Sequence, residues 1–436
     1  MTRRGSWIWT ALAVAAAGAS GCNLVFGLDP PTATDGGASA DGPLVDGPPV
    51  DARPALRVAA VALGGNHTCA ALQTGEIRCW GANAVGQLGI GSTVAQVTPG
   101  PHVALPAAPT MVLAAGTGHA CVTLENQGIA CWGTGAHGQL GYGNTAQVGD
   151  DPGELALVAP LVLPQAPTAL AGGGLHTCAA TTDGVRCWGE GADGQLGTGS
   201  TEPLGATTAM PPGQAVPGTA GVTTLAAGRA HTCAVLPDTN VTCWGDDGRG
   251  QLGRNTSASV GGMPGFPLTR VPLGASVSAL AAGLDHTCVL LADGAAACWG
   301  ANGGGQLGDG TLTDRTGTVA SRVMVPRQPI AITAGANHTC ALAVTGDVYC
   351  WGANDQGQLG LGTTTPQRDG SAATPVVLGG QAKAVVAGLD HTCAILVDDT
   401  LVCWGAGANG KLGYGDTANR GDTPATTPAL TGPVLL

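Results

Sequence analysis

Seven histidines, each standing two positions before a cysteine, carry most of the reactive chemistry this chain could offer. They are His67, His119, His176, His231, His286, His338 and His391, followed by Cys69, Cys121, Cys178, Cys233, Cys288, Cys340 and Cys393. A second cysteine comes ten positions after the first, or nine in the third copy: Cys79, Cys131, Cys187, Cys243, Cys298, Cys350 and Cys403. A tryptophan follows each of these directly, from Trp80 to Trp404. One histidine with two cysteines could hold zinc, and two cysteines alone could close a disulfide. Zinc cysteines usually stand about two to four residues apart, and seven identical metal sites would be an odd arrangement. No metal and no cofactor are expected, and the disulfide has to be tested against the strands.

The strands that would position these residues are short. His67-Thr68-Cys69-Ala70-Ala71-Leu72 and Ile77-Arg78-Cys79-Trp80 flank Gln73-Thr74-Gly75, a hairpin loop with glycine where a left-handed conformation is wanted. Pairing about Thr74 sets Cys69 opposite Cys79 with both side chains on one face. A non-hydrogen-bonded site then brings the two Cα atoms within disulfide reach. The same register sets Trp80 opposite Thr68 and His67 opposite Gly81. In the third copy Cys178 and Cys187 are one residue closer around Thr182-Asp183, so a shorter turn restores the same pairing. Each bridge closes a ring of about ten residues and stabilises by roughly 2–3 kcal/mol in the loop-entropy account. Seven pairs and Cys22 account for all 15 cysteines, which points to an oxidising compartment. Facing glycine, each histidine has room to pack its ring and bond to a turn backbone; a histidine ring around a central channel is the other reading.

The rest of the composition agrees with short strands and tight turns. Gly is 74 of 436 residues and Pro 29, while charged residues are 11% and aromatics 3%, which disfavours long helices. The histidines recur every 52 to 57 residues, the period of a four-stranded propeller blade. Seven copies predict an all-β, seven-bladed β-propeller over residues 56–436, with antiparallel blades. A net charge of −12 and two lysines, Lys383 and Lys411, weigh against nucleic acid or an anionic membrane surface as partner.

Within each copy a second motif follows the tryptophan. The Trp-Gly-Ala-Asn and Gly-Gln-Leu-Gly runs at 80–89, 299–308 and 351–360 resemble the repeat of the regulator of chromosome condensation family. The other copies match more loosely, and Gly410-Lys411-Leu412-Gly413 has Lys in place of Gln. The resemblance implies a seven-bladed propeller. It implies that the cysteine pair is an addition shared with exported bacterial relatives. Protein binding follows as the expected role, with guanine-nucleotide exchange the role of the eukaryotic namesake and enzyme inhibition that of an exported β-lactamase-binding member. For ring closure, the strand-like end Pro428 to Leu436 is expected to complete the blade begun by residues 56–89.

Arg3 and Arg4 precede an apolar run from Trp7 to Ala19 that ends in small residues, the layout of a secretory signal over residues 1–21. Ala19-Ser20-Gly21-Cys22 resembles a bacterial lipoprotein box, which implies diacylation of Cys22. Ala19 stands where that box usually has Leu, and ordinary signal cleavage is the alternative. Thr2-Arg3-Arg4 is a weaker likeness to a twin-arginine signal. Residues 22–55, rich in Asp-Gly and Pro, read as a solvated tether rather than a calcium loop, because no Asp-x-Asp-x-Asp run is present.

No Ser-His-Asp, Cys-His or paired-carboxylate set stands outside the repeat, so the chain is expected not to be an enzyme. Departures from symmetry point to function instead. The connections 142–175, 198–230 and 254–285 are the longest and carry Asp150, Asp151, Glu154, Glu202, Met210, Met263 and Phe266. Long loops on one face of a repeat protein often bind. The expectation is a monomeric scaffold lipoprotein of a bacterial envelope, at the outer membrane or cell surface. It would be held to the membrane by its lipid alone and present these loops to a protein or glycan. Inhibition of an exported enzyme is the alternative, and guanine-nucleotide exchange a lesser one because export removes it from a cytosolic GTPase.

Overall fold

A computed structural model describes residues 56–436 except 208–213, 255–257, 267 and 318–319. The leader, Cys22, the tether and Met210 lie outside the described residues. Seven antiparallel sheets follow one another along the chain. In the first, Val58–Leu63, His67–Leu72 and Ile77–Gly81 are consecutive neighbours. Each later sheet repeats the plan, to Ala382–Ala387, His391–Leu396 and Leu401–Gly405 in the seventh. The first strand of every blade touches that of the next, and Val58–Leu63 also touches Ala382–Ala387, closing the ring. The fold is a seven-bladed propeller with these inner strands around the axis.

The hairpin register is the one that the cysteine spacing requires. Cys69 faces Cys79, Thr68 faces Trp80 and His67 faces Gly81. Cys178 faces Cys187 across the shorter turn, and Trp188 faces Thr177. All seven pairs are bridged, with Cα atoms 4.1 Å apart in each. The second strands are buried at almost every position, and at every position in His67–Leu72. Each is sandwiched within its own sheet and between neighbouring blades, so a continuous apolar run replaces alternation. The seven tryptophans of the Cys-Trp pairs are among the largest fully buried side chains.

The outer, fourth strand is the weak element. Among the described residues it is a regular strand only at Leu161–Val162 and Ser321–Val323. Elsewhere it shrinks to isolated contacts, such as Val103 N–H donating to Ile77 O at 2.8 Å and Val376 N–H to Val348 O at 2.8 Å. Prolines near these positions, such as Pro101 and Pro375, remove the donors a longer ladder would need.

Ring closure differs from the expectation. Pro428–Thr431 is one helical turn, and beyond it Val434 N–H donates to Leu401 O at 2.7 Å. The C-terminal segment is therefore the outer strand of the seventh blade and does not complete the blade of residues 56–89. The reason is that the first blade already has its outer contact from Val103, so no edge is left for a returning strand. Every blade is built from consecutive sequence, and the ring closes through side chains and loops.

Candidate functional site

At six joints between blades a Gly-Gln-Leu-Gly loop, and at the seventh Gly410-Lys411-Leu412-Gly413, lies over the tryptophan of the next blade. Gly89 shows why glycine is needed there: its φ is 66°, and a Cβ would sit 2.9 Å from Trp132. The carbonyl of the loop Gln accepts two hydrogen bonds. Gln139 O takes Trp188 Nε1–H at 2.9 Å and Thr177 Oγ1–H at 2.9 Å. Gln195, Gln251, Gln306 and Gln358 do the same for the Trp and Thr of the fourth to seventh blades. Lys411 O does so for Trp80 and Thr68.

The histidines complete these joints. His119 Nε2 lies 2.9 Å from Thr177 Oγ1, and His176, His231, His286, His338 and His391 reach the next blade's threonine at 2.9–3.1 Å. Each threonine has one hydroxyl proton, already donated to the loop carbonyl, so the histidine must donate from Nε2. The rings are therefore neutral Nε2–H tautomers. Burial holds His67, His176 and His286 down to about 3 and His119, His231 and His338 to about 4, and it also lowers His391. The Ala-Gly-x-x-His spacing has its cause here too, since a Cβ on Gly64 would meet His67 Cε1 at 2.1 Å. The partner is a threonine hydroxyl across the joint rather than a turn backbone.

These residues are spent on assembly. The histidines and bridged cysteines are buried, and no group of three or more His, Cys, Asp and Glu residues able to hold a metal occurs among the described residues.

What breaks the symmetry lies at the end of the propeller where the histidine strands begin, here called the upper end. The connections share one anchor whatever their length: Val148, Leu204 and Val260 return to Gly133, Gly189 and Gly245, as Gln96, Arg315, Gln367 and Arg420 return to Gly81, Gly300, Gly352 and Gly405. What sets the long ones apart is the extra chain that follows this contact. The second-blade connection then forms Glu154–Leu157 and lies over the first blade's loop, with Gly91 N–H donating to Gly149 O at 2.9 Å. Asp151 and Glu202 are exposed, and Asp150 is half-buried. Glu154 is occupied structurally, accepting Gly149 N–H at 2.8 Å. Met263 is 71% exposed, whereas Phe266 packs against the cluster that includes Val222 and Trp244. Leu157, unremarked in the sequence, is 87% exposed.

The upper end also carries an ion network that the sequence did not reveal. Arg229 Nε donates to Asp285 at 2.9 Å and its Nη2 to Asp246 at 2.9 Å, bridging the fourth and fifth blades. Asp193 stands near enough that desolvation and the Asp246 charge raise its pKa. The available signal was positional: Arg229 holds the place, two before the histidine, that is Gly65, Thr117 and Gly174 in the first three copies.

This is a disulfide-stapled seven-bladed propeller held together by a ring of neutral histidines. Residues 130–435 match the RCC1-like domain, and residues 58–87 match the regulator of chromosome condensation repeat, so the chain belongs to that family. It is 30% identical to the ultraviolet-B receptor UVR8 of Arabidopsis thaliana over 375 residues, covering 84% of this chain and 81% of the receptor. The human E3 ubiquitin-protein ligase HERC2 is 30% identical over 348 residues, and the match spans only 7% of its length. Among solved structures, human WBSCR16 has a TM-score of 0.65 at 23% identity, covering 77% of this chain and 85% of that one. Yeast RCC1 (Prp20), solved with Kap60 bound, has a TM-score of 0.62 at 20% identity, covering 91% and 90%. Seven buried disulfides mark a chain matured in an oxidising environment. No helix among the described residues is long and apolar enough to cross a membrane.

Proposed function

We propose that the protein is a non-catalytic binding scaffold of a bacterial envelope, exported and anchored through a lipid on Cys22, which captures a protein partner at its upper end over the second to fourth blades. One observation carries the reading. The three longest connections fall in consecutive blades and leave Asp151, Leu157, Glu202 and Met263 in solvent, and the Arg229–Asp246–Asp285 network joins the last of these, the fourth blade, to the fifth. Mixed apolar and charged exposure on a rigid scaffold suits a protein interface. Most of the molecule repeats one joint, which suits a scaffold.

The test uses the full chain carrying Asp151→Asn, Leu157→Ser, Glu202→Gln and Met263→Ser, all at exposed positions, after confirming an unchanged melting midpoint. A partner cross-linked to the parent from envelope extract is lost from this variant. Capture that survives the four substitutions removes the upper-end assignment. Anchoring is read separately: labelling with an alkyne fatty acid marks the parent and not Cys22→Ser, and an unlabelled parent removes the lipid.

A further inference from the structure

One joint lacks its hydroxyl. Where every other blade has His-Thr-Cys, the second has His119-Ala120-Cys121. His67 therefore faces Ala120, and neither of its ring nitrogens has a hydrogen-bond partner among the described residues, although His67 is 0% exposed. On the other side, Gln87 O receives Trp132 Nε1–H at 3.1 Å but has no threonine hydroxyl to pair with. A donor and an acceptor that are joined by one oxygen at six joints thus face each other at the seventh with a methyl between them.

We propose that this joint holds a single buried water, which accepts His67 Nε2–H and donates to Gln87 O. The site is polar on both sides, and replacing Thr with Ala removes a hydroxyl and a methyl, about the room one water needs. A water can make both bonds that the hydroxyl makes, one accepted and one donated, and brings a second O–H besides. A dry gap would leave a buried N–H unpaired, and native interiors rarely tolerate that. The geometry is fixed by the neighbouring blades, because the equivalent Nε2–Oγ1 and Oγ1–O distances at the other joints are 2.9–3.1 Å and 2.8–3.0 Å.

A high-resolution crystal structure of the full chain is the direct test, and the expected result is one density peak within hydrogen-bond distance of both His67 Nε2 and Gln87 O. No peak there overturns the proposal. Two variants give an independent readout. Ala120→Thr supplies the hydroxyl, displaces the water and raises the melting midpoint by on the order of 1–2 °C. Ala120→Val has the same shape without the hydroxyl, strands the His67 proton and falls below the parent. A Val variant at least as stable as the parent means the gap is dry, and equal losses in both variants mean it has collapsed; either result overturns the proposal.

Discussion

The joint between the seventh and first blades and the joint between the first and second blades do the same job with unequal equipment. At the first of these, Lys411 O accepts both Trp80 and Thr68, at 3.0 and 2.8 Å. The Lys411 ammonium, which replaces the usual glutamine amide, is buried against Asp390 and donates to Asn66 Oδ1 at 3.1 Å. Val58 N–H reaches Asp399 O at 3.0 Å, and Gly413 lies against Trp80 and Val434. At the other joint, Ala120 leaves out the hydroxyl bridge. The difference follows chain connectivity. Thr68 and Lys411 are 343 residues apart, against 38 for Thr177 and Gln139, so closing that contact from the unfolded chain costs roughly 2 kcal/mol more in loop entropy. Where the chain runs through, one missing pair is tolerated. Where it does not, charge is added.

Acid should have the largest effect, because both joints rest on neutral histidines. Their pKa values are depressed by burial to about 3 or 4 from 6.5. Below pH 6.5 the unfolded chain binds protons that the folded chain refuses. This stability is therefore complete above about pH 6.5 and falls as the pH drops toward 4, by up to about 1.4 kcal/mol per pH unit for each histidine. Urea unfolding between pH 7 and pH 4.5 measures it, and a flat profile contradicts the neutral state of the buried histidines. Asp390 adds a separate, lower window at the closing joint. Burial would raise its pKa, but the Lys411 ammonium beside it wins and holds it at about 2. Its contribution is present above about pH 3.8 and is lost as the pH falls toward 2.

Next in size is Asp390→Asn, which leaves the Lys411 charge buried without its partner at a cost on the order of 3–5 kcal/mol. Lys411→Gln restores the residue used at the other joints and costs far less. Equal losses in denaturant titrations would show that charge is not what strengthens this joint. A smaller effect separates the two joints directly. Thr177→Ala copies the Ala120 arrangement into the joint between the second and third blades, at about 1–3 kcal/mol. Thr68→Ala, at the closing joint, should cost more than Thr177→Ala.

Much of this architecture could be read from spacing, and the part that could not has a physical pattern. Cysteine position and turn length both report one hairpin, so the pairing of Cys69 with Cys79, and of Cys178 with Cys187 across a shorter turn, was legible. The Pro-Val-x-Leu segments were visible as strands, but nothing local says whether such a segment belongs to the blade before it or after it. That ambiguity misplaced Val434, which pairs with Leu401. The Thr of each His-Thr-Cys was visible too, yet its bond to the preceding blade's histidine depends on the angle between sheets, which no single repeat encodes. Ala120 could have been flagged as the one copy that breaks the pattern. The pairing of Lys411 with Asp390, and of Arg229 with Asp246 and Asp285, joins residues brought near only by the ring. In the long connections, Asp151 and Glu202 were placed in solvent as loops suggest, but Phe266 was claimed by the core because an aromatic ring gains more by packing than by waiting for a partner.

The smallest effect is the most discriminating. Arg57 bonds Asp399 at 2.9 Å across the closing joint, and by position alone it looks as important as Lys411. Its side chain is 60% exposed, however, and Asp399 keeps Lys383 as a second cation. Exposed pairs of this kind contribute about 0.2–1 kcal/mol, because water and salt screen them and two side chains must be ordered. Val58 N–H and the apolar packing of Val58 stay in place when the guanidinium is removed. Arg57→Ala should therefore shift the denaturation midpoint barely beyond error, and less still at high salt, whereas Asp390→Asn keeps its full effect there. If the two variants cost the same, the closing joint is held by its number of charges, and the burial of Lys411 is incidental.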